Sequence, residues 1–525
     1  MTPLPVLPRS ALGRVRRAAA ILVFHTLLIA RKSEVAVWRA RLVVLIVAGV
    51  LVIMAGAPAA GETPRGAEAA TRADDAAGDS AGRLVYVTHA QSEDIATFTV
   101  GRDGRPRRLG DLVTTGGGTS PASVLFAPDG RTAYVLNRGN NTVAAYRVSS
   151  RGELRLLGAA PTGDAFGLAI APDGSSLFAA NQSGTVSAFT VNDDGTPRPA
   201  GDPVPTGFPL PQGLAVSPDG RFLYIAHGEP DSPGPREPDV IVRFAIGPNA
   251  ALKLVGRPVQ TNPSGAQIVF TPDGRFAYIA TTFDSVVDGF RVGRHGELSP
   301  LPGSPYDAAL FAEGAVITPD GRHLFVAGSG NGPNPGGLSA YTINNDGTLT
   351  EVPGSPFPAG MFPVGVDTTP DGRHLLVSSG NGDPSLLFTF AIATDGRLNQ
   401  TGPPMSTGGT ISMFQSLAVQ PNQGPTAVFT LQARPAGHAT RFDASAASDP
   451  DGHIARFDWD FGDGTTLHDG GPTPAHTYRR PGKFTATVTV TDNENCSTAL
   501  VFTGTTAHCN GSPRARSSQT ITIRP

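Results

Sequence analysis

Among side chains that could do chemistry, the carboxyl of Glu313 is the most favourably placed: it sits in Phe311-Ala312-Glu313-Gly314, directly before an apolar run. A carboxyl there could act as a general acid or base, or hold a polar ligand. Comparable segments precede the other apolar runs and supply Asp164, Gln212, Gln267 and Gln415. Two histidines, His89 and His227, close the second apolar run of their own units. These seven residues are the expected ligand-binding groups, with Glu313 the one catalytic candidate. Each could instead only cap a strand end or hold channel water. None of the segments before the apolar runs contains a histidine, so the usual proton carrier near pH 7 is missing there. The chain has no zinc-type ligand spacing, no G-x-S-x-G elbow, no P-loop and no dinucleotide fingerprint, so neither a metal nor a cofactor is expected.

The elements that must position these groups repeat. Apolar runs joined by Pro-Asp-Gly recur at 124–137, 168–181, 214–227, 268–281, 315–328 and 366–379. Their spacing of roughly 44 to 54 residues is that of propeller blades. Pro starts a tight turn and Gly closes it, so each unit is a hairpin. A third strand follows at 142–148, 185–191, 239–246, 285–292, 337–343 and 386–392, then a turn and a weaker fourth strand. At the ends, 83–90 and 94–100 lack a first strand, and 416–422 is a first strand lacking the rest. Joined, they complete a seventh blade and leave no open edge. The only tryptophans, Trp38 and Trp459, lie outside the repeats, which excludes a Trp-Asp type of propeller.

In such a ring the interblade connections and the loops between second and third strands share one face. That face is expected to carry His89, Asn137, Asn181, His227, Thr281, Gly328 and Ser379 at the ends of second strands. It is also expected to carry three insertions, 228–238, 329–336 and 380–385. His323 and His374 follow Pro-Asp-Gly-Arg turns on the opposite face and are expected to be solvated.

The length, 525 residues, predicts two or three domains. A formal net charge of −3 excludes the basic footprint of a nucleic-acid binder. Residues 42–55 form an apolar run preceded by Arg39 and Arg41 and followed by Ala57-Pro58-Ala59, the pattern of a secretory signal cut after Ala59. An uncleaved anchor is the alternative. A second apolar stretch, ILVFHTLLIA, precedes this run, and translation is expected to start downstream, near Val35. Export would place Cys496 and Cys509 in an oxidising compartment and favour a bridge between them.

The unit with Tyr134-Val135-Leu136-Asn137, Tyr224-Ile225-Ala226-His227 and Asp346-Gly347-Thr348-Leu349 resembles the lactonase-like, YVTN-type seven-bladed propellers, which include 6-phosphogluconolactonase-like proteins and muconate-lactonising cycloisomerases. The resemblance covers 83–422. It implies a mouth carrying His, Glu and Arg; Glu313 is the acid so placed, and no segment supplies the His. Residues 423–525 resemble a PKD domain, an immunoglobulin-like sandwich, through Phe442-Asp443-Ala444-Ser445, Asp449-Pro450-Asp451-Gly452, Phe457-Asp458-Trp459-Asp460-Phe461-Gly462-Asp463-Gly464 and Pro481-Gly482-Lys483-Phe484. Asp449, Asp451 and Asp463 could bind calcium or serve as turn residues.

The expected organisation is all-β. An extension with signal peptide covers 1–59, a flexible linker 60–82, a seven-bladed propeller 83–422 and a PKD-type sandwich 423–525. The expected function is an exported, monomeric binding protein, its PKD module contacting protein or polysaccharide. The propeller face would meet a small molecule, a glycan or an envelope protein, with no nucleic acid, and with a membrane only if the signal stays uncleaved. An exported lactonase or lactonising cycloisomerase acting at the mouth is the alternative.

Overall fold

The computed structural model describes residues 82–525 apart from 229–238, 331–335, 381–383 and 412–414. The signal segment, most of the linker and the bulk of the three insertions lie outside these residues. Seven antiparallel sheets follow one another as blades. Each Pro-Asp-Gly glycine has φ between 63° and 74°, the left-handed value that the turn demands. The preceding aspartate accepts the N–H two residues on, as Asp129 does from Arg131 at 2.9 Å. In blades three to seven the outermost strand is broken in two; Leu349–Glu351 and Phe357–Pro358 both pair with Gly337–Ile343. Blade one closes the ring: the strand Leu417–Val419 is its innermost and pairs with Arg83–His89, Val85 facing Val419.

A repeated clamp joins the blades. The second-strand tyrosines donate to the turn glycine of the next blade: Tyr86 to Gly152 (3.1 Å), Tyr134 to Gly195 (2.9 Å), Tyr224 to Gly296 (2.7 Å) and Tyr278 to Gly347 (2.7 Å). The same turn covers the first residue of that strand. In blades six and seven this residue is a histidine. A Cβ on Gly396 would lie 2.6 Å from His323 Nδ1, and one on Gly104 would lie 2.2 Å from His374 Cδ2. Both rings are therefore buried, at 6% and 7% exposure, and not solvated as the sequence suggested. Their Pro-Asp-Gly-Arg neighbours do face water; the next blade's turn covers only the histidine. Gly104 belongs to blade one, so the clamp on His374 is also the seam that closes the ring. Tyr278→Phe, which orphans the Gly347 carbonyl, is expected to cost about 1–2 kcal/mol in urea unfolding.

The C-terminal domain is a two-sheet sandwich. One sheet runs Thr430–Gln432, Ala439–Asp443, Ala475–Thr477; the other runs Thr466–Leu467, Ile454–Asp460, Gly482–Asp492, Arg516–Ile523. Trp459 and Phe461 point into the core with Phe442, Tyr478 and Val488, and Phe457 packs at its margin, as their alternation implies. Trp459 Nε1 donates to the Gly471 carbonyl at 3.0 Å. Asp463 is engaged by His476 (2.8 Å) and by the Thr465 hydroxyl (2.6 Å), while Asp449 and Asp451 lie beside Arg83 of the propeller. Among the described residues no group of three His, Cys, Asp or Glu is arranged to hold a metal.

Cys496 and Cys509 are bonded. The segment they close carries a short hairpin, Val501–Phe502 paired with Ala507–Cys509, which leaves the sandwich and enters the propeller. Phe502 and Ala507 join the apolar cluster of Leu168, Leu214 and Val216.

Candidate ligand site at the propeller mouth

The innermost strand of a blade is a sheet edge, so its inward N–H groups need acceptors. The axis supplies them one by one. The Gln415 carbonyl accepts from Val124 N–H (2.8 Å), and its side chain accepts from Leu168 N–H (3.0 Å) and donates to the Leu168 carbonyl (3.0 Å). Gln267 Oε1 accepts from Ala315 N–H (3.0 Å), and Asp367 Oδ2 from Val419 N–H (2.8 Å). Thr503 and Gly504 of the inserted hairpin accept from Phe270 N–H (2.9 Å) and Val216 N–H (3.0 Å). The space left beside Gln267, Asp367, Gln415 and Thr505 is about 30 Å³, room for one or two waters. Burial pushes the Asp367 carboxyl up to about 7. Gln267 and Gln415 thus lie in the filled axis and satisfy strand edges.

Above the axis, six innermost strands carry a β-bulge after their first residue, at Ala122, Phe166, Gln212, Ala266, Glu313 and Val364. A bulge re-aims a side chain out of the sheet's alternation. The residue before the strand takes a left-handed conformation in five blades, at Ser120, Leu210, Ser264, Phe311 and Phe362. Such strain, of about 1 kcal/mol or more per residue, concentrates at binding rims. Phe166 packs against Ala122 and Ala266 from two other blades, so it forms the floor of the mouth. The Arg138 guanidinium lies 4.7 Å from the centre of its ring. Gln212 and Glu313 occupy the same position in blades four and six and lean alike, Gln212 onto Gly228 and Glu313 onto Ser329, whose hydroxyl donates to Oε1 at 3.0 Å. Phe166, Arg138, Gln212 and Glu313 all keep part of their surface open to solvent. Desolvation of the carboxyl pushes Glu313 up to about 7, against the opposing hydrogen bond from Ser329.

The remaining candidates sit elsewhere. Asp164 is exposed on the rim and caps a turn, accepting from Ser183 N–H at 3.1 Å. His89 and His227 are turned into their blades. His89 Nδ1 meets Asp94 Oδ1 at 2.5 Å, and His227 Nδ1 bonds the Pro209 carbonyl at 2.9 Å. Burial lowers both pKa values, that of His227 to about 4, so His227 is neutral at pH 7. Asn181 and Ser379, at the same strand position, also hold interblade loops: Asn181 accepts from Gly163 N–H (3.1 Å) and Ser379 donates to the Met361 carbonyl (2.6 Å). The structure therefore brings Gln212 and Glu313 to one mouth and adds Arg138 and Phe166. Arg138 is the first residue after a second strand, one position beyond Asn137, which the sequence marks as that strand's end.

The description "Lactonase, 7-bladed beta-propeller" matches residues 60–210 and 264–414. The chain belongs to the lactonase seven-bladed propeller family. A PKD domain matches 422–506. The 6-phosphogluconolactonase of Pectobacterium carotovorum is 27% identical over 307 residues, 56% of this chain and 87% of the relative. That of Enterobacter sp. is 26% identical over 307 residues, with 56% and 88% coverage. Among solved structures, the periplasmic gluconolactonase of Pseudomonas aeruginosa superposes with a TM-score of 0.52 at 22% identity, covering 64% of this chain and 99% of the other; it shares the fold.

Proposed function

We propose that this lactonase-family propeller works outside the cytoplasm and binds a small sugar-derived ligand, a sugar acid or its lactone, at the mouth. The observation that carries the reading is the grouping there of an aromatic floor (Phe166) under a guanidinium (Arg138), with an amide (Gln212) and a desolvated carboxyl (Glu313) on the same rim. An aromatic face suits a sugar ring, a guanidinium suits a carboxylate, and amide and carboxyl suit hydroxyls. The names of the relatives point to the same class of ligand. The Cys496–Cys509 bond supports an oxidising location.

A second reading, hydrolysis of the lactone, is favoured by one observation: a carboxyl at about 7 is poised for general acid–base work. Binding is preferred because His89 and His227 are consumed inside their blades, leaving Glu313 without an imidazole partner among the described residues of the mouth.

Calorimetry with gluconate and a lactone panel tests both. A protonated Glu313 donates to an anionic ligand, whereas an ionised one repels it. Affinity for gluconate is expected to fall about ten-fold from pH 6 to pH 8, and Glu313→Gln to abolish that dependence. Lactone turnover lost in Glu313→Gln would establish the hydrolytic reading instead.

A further inference from the structure

The hairpin from the C-terminal domain enters the propeller from the face that carries the Pro-Asp-Gly turns, because it bonds Val216 and Phe270, the last residues of their innermost strands. Its tip, Thr503-Gly504-Thr505-Thr506, is polar and small. Thr505 reaches Gln267 at 3.5 Å, and Thr506 and Ala507 line the axial space. His508 lies within the channel at 1% exposure, its Nε2 3.4 Å from the Thr503 hydroxyl. Phe502, Ala507 and the partly buried Leu500 are its apolar anchors, and the groups the tip serves are backbone amides and a glutamine, which water could serve equally. At the base of the hairpin the Cys496–Cys509 bond spans 13 residues and ties its two arms together where they leave the sandwich.

We propose that this hairpin is a releasable plug. While the disulfide holds its two arms together, it seals the propeller axis from the Pro-Asp-Gly face and makes the mouth one-ended. When the bond is reduced, by a thiol or phosphine that supplies two electrons and leaves two protonated thiols, the tip withdraws and the axis opens to solvent at that face. The inference concerns the opposite end from the mouth and stands whether or not the mouth binds a sugar acid.

Gly504 allows a plug-specific variant. It has φ +103°, and a Cβ would lie 2.9 Å from the Phe270 ring and 3.2 Å from Ala215 Cβ. Gly504→Val should push the tip out without altering any propeller residue. The test is hydrogen exchange with mass readout on the full chain, oxidised, reduced (with both thiols confirmed by alkylation) and as Gly504→Val. The expected result is at least ten-fold faster exchange in peptides covering 500–509 and at the amides of Val216 and Phe270, with 222–227 and 276–281 still protected. Unchanged exchange at Val216 and Phe270 after verified reduction and in Gly504→Val would overturn the proposal, because the hairpin would then be fixed core. Simultaneous loss of protection at 222–227 and 276–281 would overturn it as well, because the hairpin would then be part of the global fold and not a plug.

Discussion

Arg83→Ala is expected to destabilise the protein by about 3–5 kcal/mol, with a larger loss at pH 8 than at pH 5. Arg83 is 6% exposed where the first propeller strand meets the sandwich. Its guanidinium pairs with Asp451 and Glu494 and donates to the Asn422 carbonyl oxygen Oδ1 at 2.8 Å. Asn422 in turn donates to Asp492 at 3.0 Å. Removing the cation leaves a group of carboxylates facing one another out of water. Burial and the neighbouring charges of Asp451 and Asp492 already push Asp449 up to about 7, and burial pushes Asp492 up to about 6. Both folded values lie above the unfolded ones. The native state therefore holds more protons between about pH 4 and pH 7, and stability falls as pH rises through that window. Without Arg83 the fall should steepen. Urea unfolding at pH 5 and pH 8 reads both the loss and its slope; an equal loss at the two pH values would refute the electrostatic account.

Gly213→Ala is expected to cost about 3 kcal/mol or more, or to prevent folding, although alanine is otherwise the mildest of changes. The innermost strands converge at the axis, and a Cβ on Gly213 would lie 1.5 Å from the Ala266 carbonyl oxygen of the next blade. The obstacle is backbone, which cannot swing aside. Gly314, next to Glu313, faces the Val364 carbonyl in the same way at 2.1 Å, so the glycine after a bulge sets how closely blades approach at the mouth. The comparison is Gly437→Ala in the sandwich, where nothing lies within 4 Å and only the φ of +81° opposes alanine; a loss of about 1 kcal/mol is expected there. Matched unfolding curves for the two variants check the contrast. Similar losses would mean that the blades can separate at the axis.

The ring was readable because its determinants are local and repeated. A Pro-Asp-Gly turn fixes a hairpin wherever it occurs, and an incomplete unit at each end of the array implies closure. The sandwich was readable from Phe457, Trp459 and Phe461, whose alternation is a property of a single strand. The site was readable only in part. Glu313 and Gln212 stand at the start of first strands, where chain position alone locates them. Gln267 and Gln415 stand there too, yet they serve amides across the axis, which no local pattern reveals. His323 and His374 show the same limit: each has a solvated sequence neighbourhood, and its cover is a glycine from another blade. The segment between the two cysteines was the least legible, because nothing in Thr503-Gly504-Thr505-Thr506 states that its acceptors match the amides of Val216 and Phe270, more than two hundred residues earlier in the chain.

The position of that segment places it last in the order of synthesis. Every blade emerges before residues 500–509 do, and the closing strand Leu417–Val419 precedes them as well. A propeller that closed its ring before that stretch arrived would have the amides of Val216 and Phe270 unmet at its axis. A chain cut short before residue 500 would keep every blade and yet leave those two inward amides without the acceptors that Gly504 and Thr503 supply.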